Sequence, residues 1–289
     1  AQLRAMIDDI RRTTGHGVRP ICEALGVPRS SYYHAAKPTA TERSDLEIGE
    51  RIEAIFKRHR RRYGYRRILR ELVVLGIVCS ASRVRRIMAQ RGLKAIQPKT
   101  FVPRTSDGRA DKPSPNLLRG NDLPDQPDRV WAGDITFIPT AAGWLYLAVV
   151  IDLCTRRIVG WSLARHMRAG LVTDALEQAL GSRRPASGLV FHSDRGSQYG
   201  SSAYRAILGK EGMHQSMSAR ANPYDNAWTE SVIGTLKTEM LQGGSFINEH
   251  DARTELFAYI EGYYNTHRKH SALDYRTPAQ FEADFNSPN

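Results

Sequence analysis

Three carboxylates in this chain lie in sequence contexts where an apolar fold would not normally place them. Asp134 interrupts the β-branched run RVWAGDITFI, Asp194 closes the apolar run in FHSDRGSQY, and Glu230 lies in the first turns of an amphipathic segment, NPYDNAWTES. A buried carboxylate is costly unless it is paired or binds a metal, so their convergence would create a site for a hard cation. Oxygen ligands suit Mg²⁺ or Mn²⁺, and two such ions about 4 Å apart stabilise an in-line phosphoryl displacement.

The elements that must position these carboxylates follow from the apolar periodicity after residue 128. Short links predict an antiparallel meander of three strands, then alternating helices and strands, and therefore a mixed sheet with helices on its faces. The predicted strands are 130–138, 144–153, 158–163, 189–192 and 213–217, and the predicted helices are 169–180, 201–208, 226–241 and 251–265. If the first and fourth strands are neighbours, Asp134 and Asp194 meet at one end of the sheet. Glu230 would then lie on a helix that can pack over that edge.

The charge distribution divides the chain into a basic and a slightly acidic part. The net charge is +12, but the residues through Arg119 contain 26 Lys and Arg against 11 Asp and Glu, and the remainder contains 16 against 19. This asymmetry favours a polyanion-binding unit beside a separate functional unit, although a solubilising basic face would give the same pattern.

The remaining bulk properties exclude several classes of protein. A content of 41% hydrophobic and 25% charged residues is typical of a soluble globular chain, and the longest apolar run, 144–151, is too short to span a bilayer. Three widely spaced cysteines without metal spacing predict a reduced, cytosolic protein. The opening AQLRAMIDDIRR is not signal-like, and its lack of an initiator methionine suggests a processed or excised piece.

The basic part is predicted to contain two helical units and a linker. Residues 1–40 have a short helix-turn-helix-like pattern around ICEALGVPRSSYY, which any helical hairpin would share. Residues 45–96 are predicted to form a helical DNA-binding domain. Two of its helices have an apolar stripe on one face and arginines on the opposite face, and these arginines have few acidic neighbours with which to pair. A solvated charged face is the alternative for these arginines, which are Arg66, Arg67, Arg70, Arg83, Arg86 and Arg91. Residues 97–128 are predicted to be a proline-rich basic linker, and 129–289 contain the sheet and a C-terminal helical tail.

Several motifs together resemble the DDE transposases and retroviral-type integrases and, more narrowly, the second-frame product of IS3-family insertion sequences. The similar stretches are WAGDITFIP, FHSDRGSQY, PYDNAWTESVIGTLKTE, YNTHRKHSALDYRTPAQF, ALGVPRSSYY and YGYRRI. The two Asp, followed after a gap of 35 residues by Glu, form a highly specific signature. The resemblance covers nearly the whole chain. It implies an α/β fold, an RNase H-like core with a mixed five-stranded sheet and flanking helices, preceded by all-α helix-turn-helix DNA-binding units.

Carried over position by position, Asp134, Asp194 and Glu230 match the catalytic and metal-binding triad of this family. Lys237 matches a basic residue that follows Glu230 by two helical turns, which puts both on one helix face and would let Lys237 hold a DNA phosphate. A surface lysine without such a role is the alternative. The residues that flank the second Asp and are expected to shape the substrate path, with Arg195 contacting DNA, are His192, Arg195, Ser197, Gln198 and Tyr199.

Other polar residues near the triad have ordinary structural interpretations. Asp152 is predicted to end its strand with a turn or an ion pair. Asp225 and Asn226 are predicted to cap the helix that carries Glu230. For His267, Arg268, Lys269 and His270 the sequence leaves two options, contact with DNA or exposure to solvent.

The resemblance implies a DNA transposase that binds insertion-sequence ends, cleaves a DNA strand and transfers the 3′-OH through a circular intermediate. It further implies two Mg²⁺ ions, for which Mn²⁺ can substitute. The implied partners are double-stranded DNA in the terminal inverted repeats and the target, further copies of the chain on DNA, and the first-frame product of the same element. The heptad array of that first-frame segment has no counterpart here. The implied location is the bacterial cytoplasm, at the nucleoid.

Two alternatives of other classes stay open at this point. A two-metal nuclease of RNase H or junction-resolving type would only hydrolyse nucleic acid. An inactive DNA-binding regulator is disfavoured, because a remnant has no chemical need for all three carboxylates. A retroviral integrase proper is also disfavoured, since its N-terminal His/Cys zinc unit has no counterpart in this sequence.

Overall fold

The computed structural model describes residues 2–33, 39–97, 113–120, 123–219 and 227–286. The chain begins with α1 (Gln2–Thr14), α2 (Val18–Ala24) and α3 (Arg29–Tyr33), and the last two lie in the stretch that has the helix-turn-helix-like pattern. These helices pack around a small core of Ile7, Val18, Ile21, Cys22 and Tyr32. No helix within the described ranges is long and apolar enough to cross a membrane.

A second helical unit consists of α4 (Ala40–Arg58), α5 (Tyr65–Val74) and α6 (Ala81–Gln90). Helix α4 begins before the predicted start at Asp45, because Thr39 and Glu42 form a capping box in which each side chain accepts a hydrogen bond from the other's backbone N–H. Ser80 accepts a hydrogen bond from the backbone N–H of Arg83 and caps the start of α6. The buried faces of the three helices form one apolar core.

The sheet contains β1 (Val130–Thr140), β2 (Gly143–Asp152), β3 (Ile158–Ala164), β4 (Val190–Ser193) and β5 (His214–Met217), in the order β3-β2-β1-β4-β5. Strands β1, β2 and β3 form an antiparallel meander, whereas β4 pairs in parallel with both β1 and β5. The predictions of a mixed five-stranded sheet and of adjacent first and fourth strands are confirmed. Because Gly133 pairs with Ser193, the residues that follow them lie at the same level of the sheet.

Helices cover both faces of this sheet. Helices α7 (Ala169–Arg183) and α8 (Ser202–Lys210) pack on the face that includes Trp131 and Ile135. Helices α9 (Ala227–Leu241) and α10 (Glu249–Tyr259) pack on the face that includes Ile138. Since alternate residues of a strand point to opposite faces, Asp134 lies on the α9 side. A π-helical turn (Ile260–Tyr264), a 3₁₀ turn (Ser271–Leu273) and α11 (Pro278–Asn286) follow, and α11 was not predicted.

The described end of the predicted linker lies along the outer edge of β5. Ser114 donates a side-chain hydrogen bond to Gln215 at 2.8 Å, and the carbonyl of Pro115 accepts one from the backbone N–H of Met217 at 3.2 Å. The backbone N–H of Leu117 donates to Ser216 Oγ at 2.9 Å. This segment therefore packs on the sheet, while residues 98–112 lie outside the described part of the chain.

The second helical unit also contacts the sheet domain directly. Tyr63, in the loop between α4 and α5, is buried, donates its hydroxyl to the carbonyl of His267 at 3.0 Å and accepts the N–H of Lys269 at 2.9 Å. The guanidinium of Arg62 lies 4.8 and 4.5 Å from the ring centroids of Tyr259 and Tyr263. The α4–α5 loop thus joins the helical unit to the C-terminal segment of the chain.

Candidate active site

Asp134 and Asp194 are brought together by the parallel pairing of β1 and β4. Asp194 follows the last residue of β4, directly beside the position of Asp134 on β1. Asp134 is 8% exposed, and its Oδ1 accepts a hydrogen bond from the backbone N–H of Ile135 at 2.8 Å. Asp194 Oδ1 accepts one from the N–H of Gly196 at 2.9 Å. Local backbone donors therefore orient both carboxylates at the end of β4.

Glu230 lies in the first turn of α9, and its charge acts on Asp134. Burial, followed by the negative charges of Asp194 and Glu230, raises the pKa of Asp134 to about 8. Partial burial also raises the pKa of Glu230. The charges of Asp194 and Glu230 thus oppose the ionisation of Asp134, a condition that a bound cation would relieve.

The donor set fits a hard divalent cation, because all three side chains offer carboxylate oxygens and their charges are mutually unfavourable. In this conformation, no three His, Cys, Asp or Glu side chains of the described residues are close enough to hold one ion together.

Lys237 lies beside the same strand. Its Nζ is 3.5 Å from Oγ1 of Thr136, which shares the α9-facing side of β1 with Asp134. Lys237 is half-buried against the sheet, and burial lowers its pKa. The Lys237 side chain therefore reaches the same face of β1 as Asp134.

The residues that flank Asp194 divide into buried and accessible groups. His192 is fully buried and bonds through its two ring nitrogens to Ser216 and Ser218, at 2.9 and 3.2 Å, so it joins β4 to the end of β5. Arg195 is half-buried and donates from Nε to the carbonyl of Ser218 at 2.8 Å. Gln198 donates to the carbonyl of Met167 at 2.9 Å. Ser197 is exposed and Tyr199 is buried.

Asp152 has the structural role that the sequence indicated. Its carboxylate accepts hydrogen bonds from the backbone N–H groups of Thr155 and Asp128, both at 2.7 Å, and from the Thr155 hydroxyl at 3.0 Å. These bonds form the turn after β2. Asp225 and Asn226, the predicted helix cap, lie outside the described residues.

The expectation that the arginines of α6 have few acidic neighbours is wrong. Arg83 and Arg86 pair with Asp45 at 2.8 and 2.7 Å, and Arg91 pairs with Glu53 at 3.0 Å. Both acidic residues belong to α4, which packs against α6. These ion pairs therefore stabilise the helical unit, and Arg83 and Arg91 are largely occupied by them.

The arginines of α5 point in different directions. Arg66 and Arg70 are exposed, and their guanidinium carbons lie 5.2 and 4.9 Å from the ring centroids of Tyr65 and Tyr275. Arg67 is half-buried and lies 3.9 Å from Glu239 of α9. Arg66 and Arg70 can therefore reach an external phosphate, whereas Arg67 faces the sheet domain.

Sequence reasoning missed a buried ion pair between Glu239 and Arg268. Arg268 Nη2 donates to Glu239 Oε1 at 2.8 Å, and the Tyr259 hydroxyl donates to Glu239 Oε2 at 2.8 Å. The expectation that residues 267–270 contact DNA or face solvent is wrong for Arg268 and His270, which are both buried. Burial and the charge of Arg268 lower the pKa of His270 to about 2, so this imidazole is neutral.

The family comparisons agree with this division of the chain. The integrase core domain model matches residues 124–223, and a second integrase core domain model matches residues 211–278. A model of an HTH-like domain matches residues 43–101. The chain is therefore an integrase-core protein with an RNase H-like α/β fold, preceded by a helix-turn-helix-like unit.

Curated relatives narrow the class. The transposase for insertion sequence element IS904 of Lactococcus lactis subsp. lactis (strain IL1403) is 43% identical over 235 residues, which are 81% of this chain and 93% of that protein. The insertion element IS600 uncharacterized 31 kDa protein of Shigella sonnei is 38% identical over 267 residues, which are 92% of this chain and 98% of that protein. Transposase InsF for insertion sequence IS3A of Escherichia coli (strain K12) is 36% identical over 269 residues, which are 92% of this chain and 93% of that protein. The chain belongs to the IS3-family insertion-sequence transposases.

Solved structures include more distant similarities. The HTLV-2 integrase catalytic core domain in complex with magnesium aligns with a TM-score of 0.42 at 16% identity, over 54% of this chain and 97% of that one. A chain of the simian T-cell lymphotropic virus intasome in complex with PP2A regulatory subunit B56 gamma aligns with a TM-score of 0.48 at 16% identity, over 76% of this chain and 71% of that one.

Proposed function

We propose that this transposase uses Asp134, Asp194 and Glu230 to hold two Mg²⁺ ions, with Mn²⁺ as a substitute, and to cut and join DNA at the ends of its element. The observation that carries the proposal is the β1–β4 register, which puts two carboxylates side by side, with the third on the helix that covers the same strand. Two-metal chemistry stabilises the attacking and leaving oxygens of an in-line displacement at phosphorus.

The side chains of this site have separate tasks in the proposed reaction. Asp134 and Asp194 each accept one hydrogen bond from a backbone N–H, and their remaining oxygen lone pairs would hold the cations beside the scissile phosphate. Lys237 contributes a positive charge beside Thr136 and contacts a nonbridging phosphate oxygen. Water first attacks the phosphodiester at the element end, and the released 3′-OH then attacks a second phosphodiester. Joining of the two ends in this way produces a circular intermediate.

The helical unit is proposed to bind the terminal inverted repeats through its exposed cations. Arg66 and Arg70 of α5 are accessible, and Arg86 is the most exposed of the paired arginines of α6, with 46% of its side chain accessible. Arg67, Arg83 and Arg91 are assigned mainly to holding the unit together. Arg195 is proposed to contact the DNA backbone near the carboxylates. The proposed domains remain 1–40, 45–96, 97–128 and 129–289.

A substitution at the second carboxylate tests the catalytic assignment. Asp194→Asn keeps the size of the side chain but removes its charge, so Mg²⁺-dependent cleavage and joining of end-labelled element DNA should fall to background. Glu255→Gln, at an exposed position of α10, is the matched control and should keep full activity. Retention of cleavage and joining by Asp194→Asn would disprove the assignment.

A second assay separates transfer from hydrolysis. A DNA end that is already cut and carries a free 3′-OH should be joined to a second duplex in the presence of Mg²⁺. Products that show hydrolysis alone would favour a nuclease instead. The similarity to transposases over most of the chain favours joining.

Assembly on DNA is part of the same proposal. Joining two element ends requires both to be held at once, so we propose that several copies of the chain act together on DNA, with the first-frame product as a further partner. The proposed location is the bacterial cytoplasm, at the nucleoid. Size-exclusion chromatography with light scattering, with and without paired end DNA, would show whether the DNA increases the number of copies in the complex.

A further inference from the structure

The end of the β1–β2 hairpin carries three aromatic side chains on one face of the sheet. Phe137 of β1 lies opposite Tyr146 of β2, and Trp144 is two residues before Tyr146, so their side chains project to the same side. The ring centroid of Phe137 is 5.2 Å from that of Tyr146 and 6.1 Å from that of Trp144. The three rings therefore form one continuous row, which we call the aromatic ledge.

One end of the aromatic ledge is buried and the other is open to solvent. Tyr146 packs against the core beneath α7 and α8, whereas Trp144 is 62% exposed. Phe137, which contacts both rings, is half-buried. A single exposed apolar side chain is normal, but a contiguous exposed apolar surface marks a place where another molecule binds. The row of rings therefore extends from the core to a surface that can receive a flat apolar group.

The surroundings of the aromatic ledge favour a negatively charged partner. No charged residue occurs in 135–151, so the hairpin carries no carboxylate that would repel a phosphate. Strand β3 ends at Ala164, which pairs with Tyr146, and the loop 165–168 leaves the sheet at that point. Arg168 in this loop is exposed and has no carboxylate partner among the described residues. A cation beside a row of rings is the composition of sites that bind single-stranded nucleic acid.

The N-terminus of α7 adds to this positive potential. The helix begins at Ala169, and Arg168, which precedes it, forms no capping hydrogen bond with its side chain. The unbonded N–H groups and the dipole at such a helix end attract phosphate. Arg165 is paired with Glu249 at 2.8 Å, so Arg168 is the arginine of this loop that is accessible to a phosphate.

The loop after β3 is bonded to the loop that follows Asp194. Gln198 donates from Nε2 to the carbonyl of Met167 at 2.9 Å, and Met167 packs against the core beneath α7 and α8. The aromatic ledge lies on the face of the sheet opposite to the side chain of Asp134, so its role is separate from holding metal. Along β1, Phe137 is three residues beyond Asp134, or roughly 10 Å, which is the length of about three stacked nucleotides. A DNA strand at the carboxylates can therefore reach the ledge within a few nucleotides.

We propose that the aromatic ledge stacks with unpaired DNA bases a few nucleotides from the cut, while Arg168 and the first turn of α7 hold phosphates of the same strand. The inference rests on the proposed cutting of DNA at the carboxylates. Bases within a duplex cover one another's faces, so only an unpaired base can offer its face to Trp144. Every base has such a face, so this contact selects opened DNA and not a particular sequence.

The test compares two DNA probes of equal length by fluorescence anisotropy, with the full chain in EDTA so that no strand is cut. One probe is a duplex with the element end at its centre, and in the other the six base pairs beside that end are replaced by thymidine mismatches. Loss of one base–aromatic stack weakens binding about 5–150-fold. Trp144→Ala should therefore bind the opened probe about 5–150-fold more weakly than the wild type does, and bind the duplex unchanged.

Two further variants locate the effect. Trp144→Phe keeps an aromatic face and should retain most of the binding to the opened probe. Phe257→Ala removes an aromatic side chain of the same exposure, 61%, from α10, and should bind both probes like the wild type. Because both side chains lie at the surface, the Tm of each variant should equal that of the wild type, which excludes unfolding as the cause.

The outcomes separate this inference from the proposed function. If the wild type binds both probes but Trp144→Ala binds the opened probe as tightly as the wild type, DNA binding stands and the role of the ledge is wrong. Equal weakening on both probes would also overturn the inference. So would a change in the number of copies of the free chain by light scattering, since the ledge would then be a contact between proteins. If the wild type binds neither probe, the proposed function fails and the inference fails with it.

Discussion

Replacing Arg268 by methionine perturbs the most enclosed ion pair of the sheet domain. Arg268 and Glu239 are each 5% exposed, and Nε of Arg268 lies 3.0 and 3.1 Å from the two carboxylate oxygens of Glu239. Without Arg268, the remaining side-chain partners of the buried Glu239 carboxylate are the Tyr259 hydroxyl, at 2.8 Å, and the more distant Arg67, at 3.9 Å. Removal of one partner from a buried pair costs about 3–5 kcal/mol, and we expect a loss of that size.

Urea unfolding monitored by tryptophan fluorescence measures the free energy of unfolding of the sheet domain. All the tryptophans lie in that domain, at Trp131, Trp144, Trp161 and Trp228. Arg165→Met is the matched control. Arg165 pairs with Glu249 at 2.8 Å, but 68% of its side chain is exposed, so its loss should cost less than about 1 kcal/mol. The double variant Arg268→Met with Glu239→Leu should regain most of the stability, since an apolar pair no longer leaves a buried charge. A loss below about 1 kcal/mol for Arg268→Met would refute this reasoning.

Three further predictions concern pH, packing and DNA. The pKa of Asp134 is about 8 in the folded state, above the unfolded value of about 3.9, so the metal-free native state binds an extra proton between these pH values. The Tm of the protein in EDTA should therefore fall as the pH rises from about 4 to about 8. Asp134→Asn should flatten this dependence of Tm on pH. Gly160→Ala would place a Cβ 2.2 Å from the carbonyl oxygen of Ala175, so it should lower the free energy of unfolding by about 1–3 kcal/mol. Gly234→Ala is the control, because Gly234 lies in α9 with open space around it. This substitution should be neutral or stabilising. Arg66→Ala should weaken binding to end DNA and reduce by about 1 the slope of the logarithm of the binding constant against the logarithm of the salt concentration. Arg83→Ala should mainly lower the Tm of the helical unit. Equal effects of the two variants on that slope would contradict the assignment of Arg66 to DNA and of Arg83 to the ion pair with Asp45.

Local patterns were sufficient to predict most of the elements. The β-branched run around Asp134 and the short links after it predicted the antiparallel meander of β1, β2 and β3. Helix α11 was missed although its signal was present: Thr277 and Gln280 form a capping box, with Pro278 at the first helical position. The run after it has few apolar residues, so periodicity alone gave no indication of a helix.

The partners of charged residues could not be predicted in the same way. Asp45 precedes Arg83 by 38 residues, and Glu239 precedes Arg268 by 29, so both pairs depend on how helices pack and not on local spacing. An arginine-rich helix face has the same sequence whether its partner is a phosphate or a carboxylate of the protein.

Helix α9 connects two chemically different ends of the sheet domain. Glu230 lies in its first turn, and Glu239 lies in its last turns, held by Arg268 and approached by Arg67 of the helical unit. With a rise of 1.5 Å per residue, the two positions are roughly 14 Å apart along a rigid rod, so a tilt of about 10° at the held end would displace Glu230 by roughly 2 Å. A shift of that size exceeds the tolerance of metal–ligand bond lengths, which is about 0.2 Å. In the proposed metal site, the seating of the helical unit on the far end of α9 can therefore determine whether Glu230 is in range of Asp134 and Asp194.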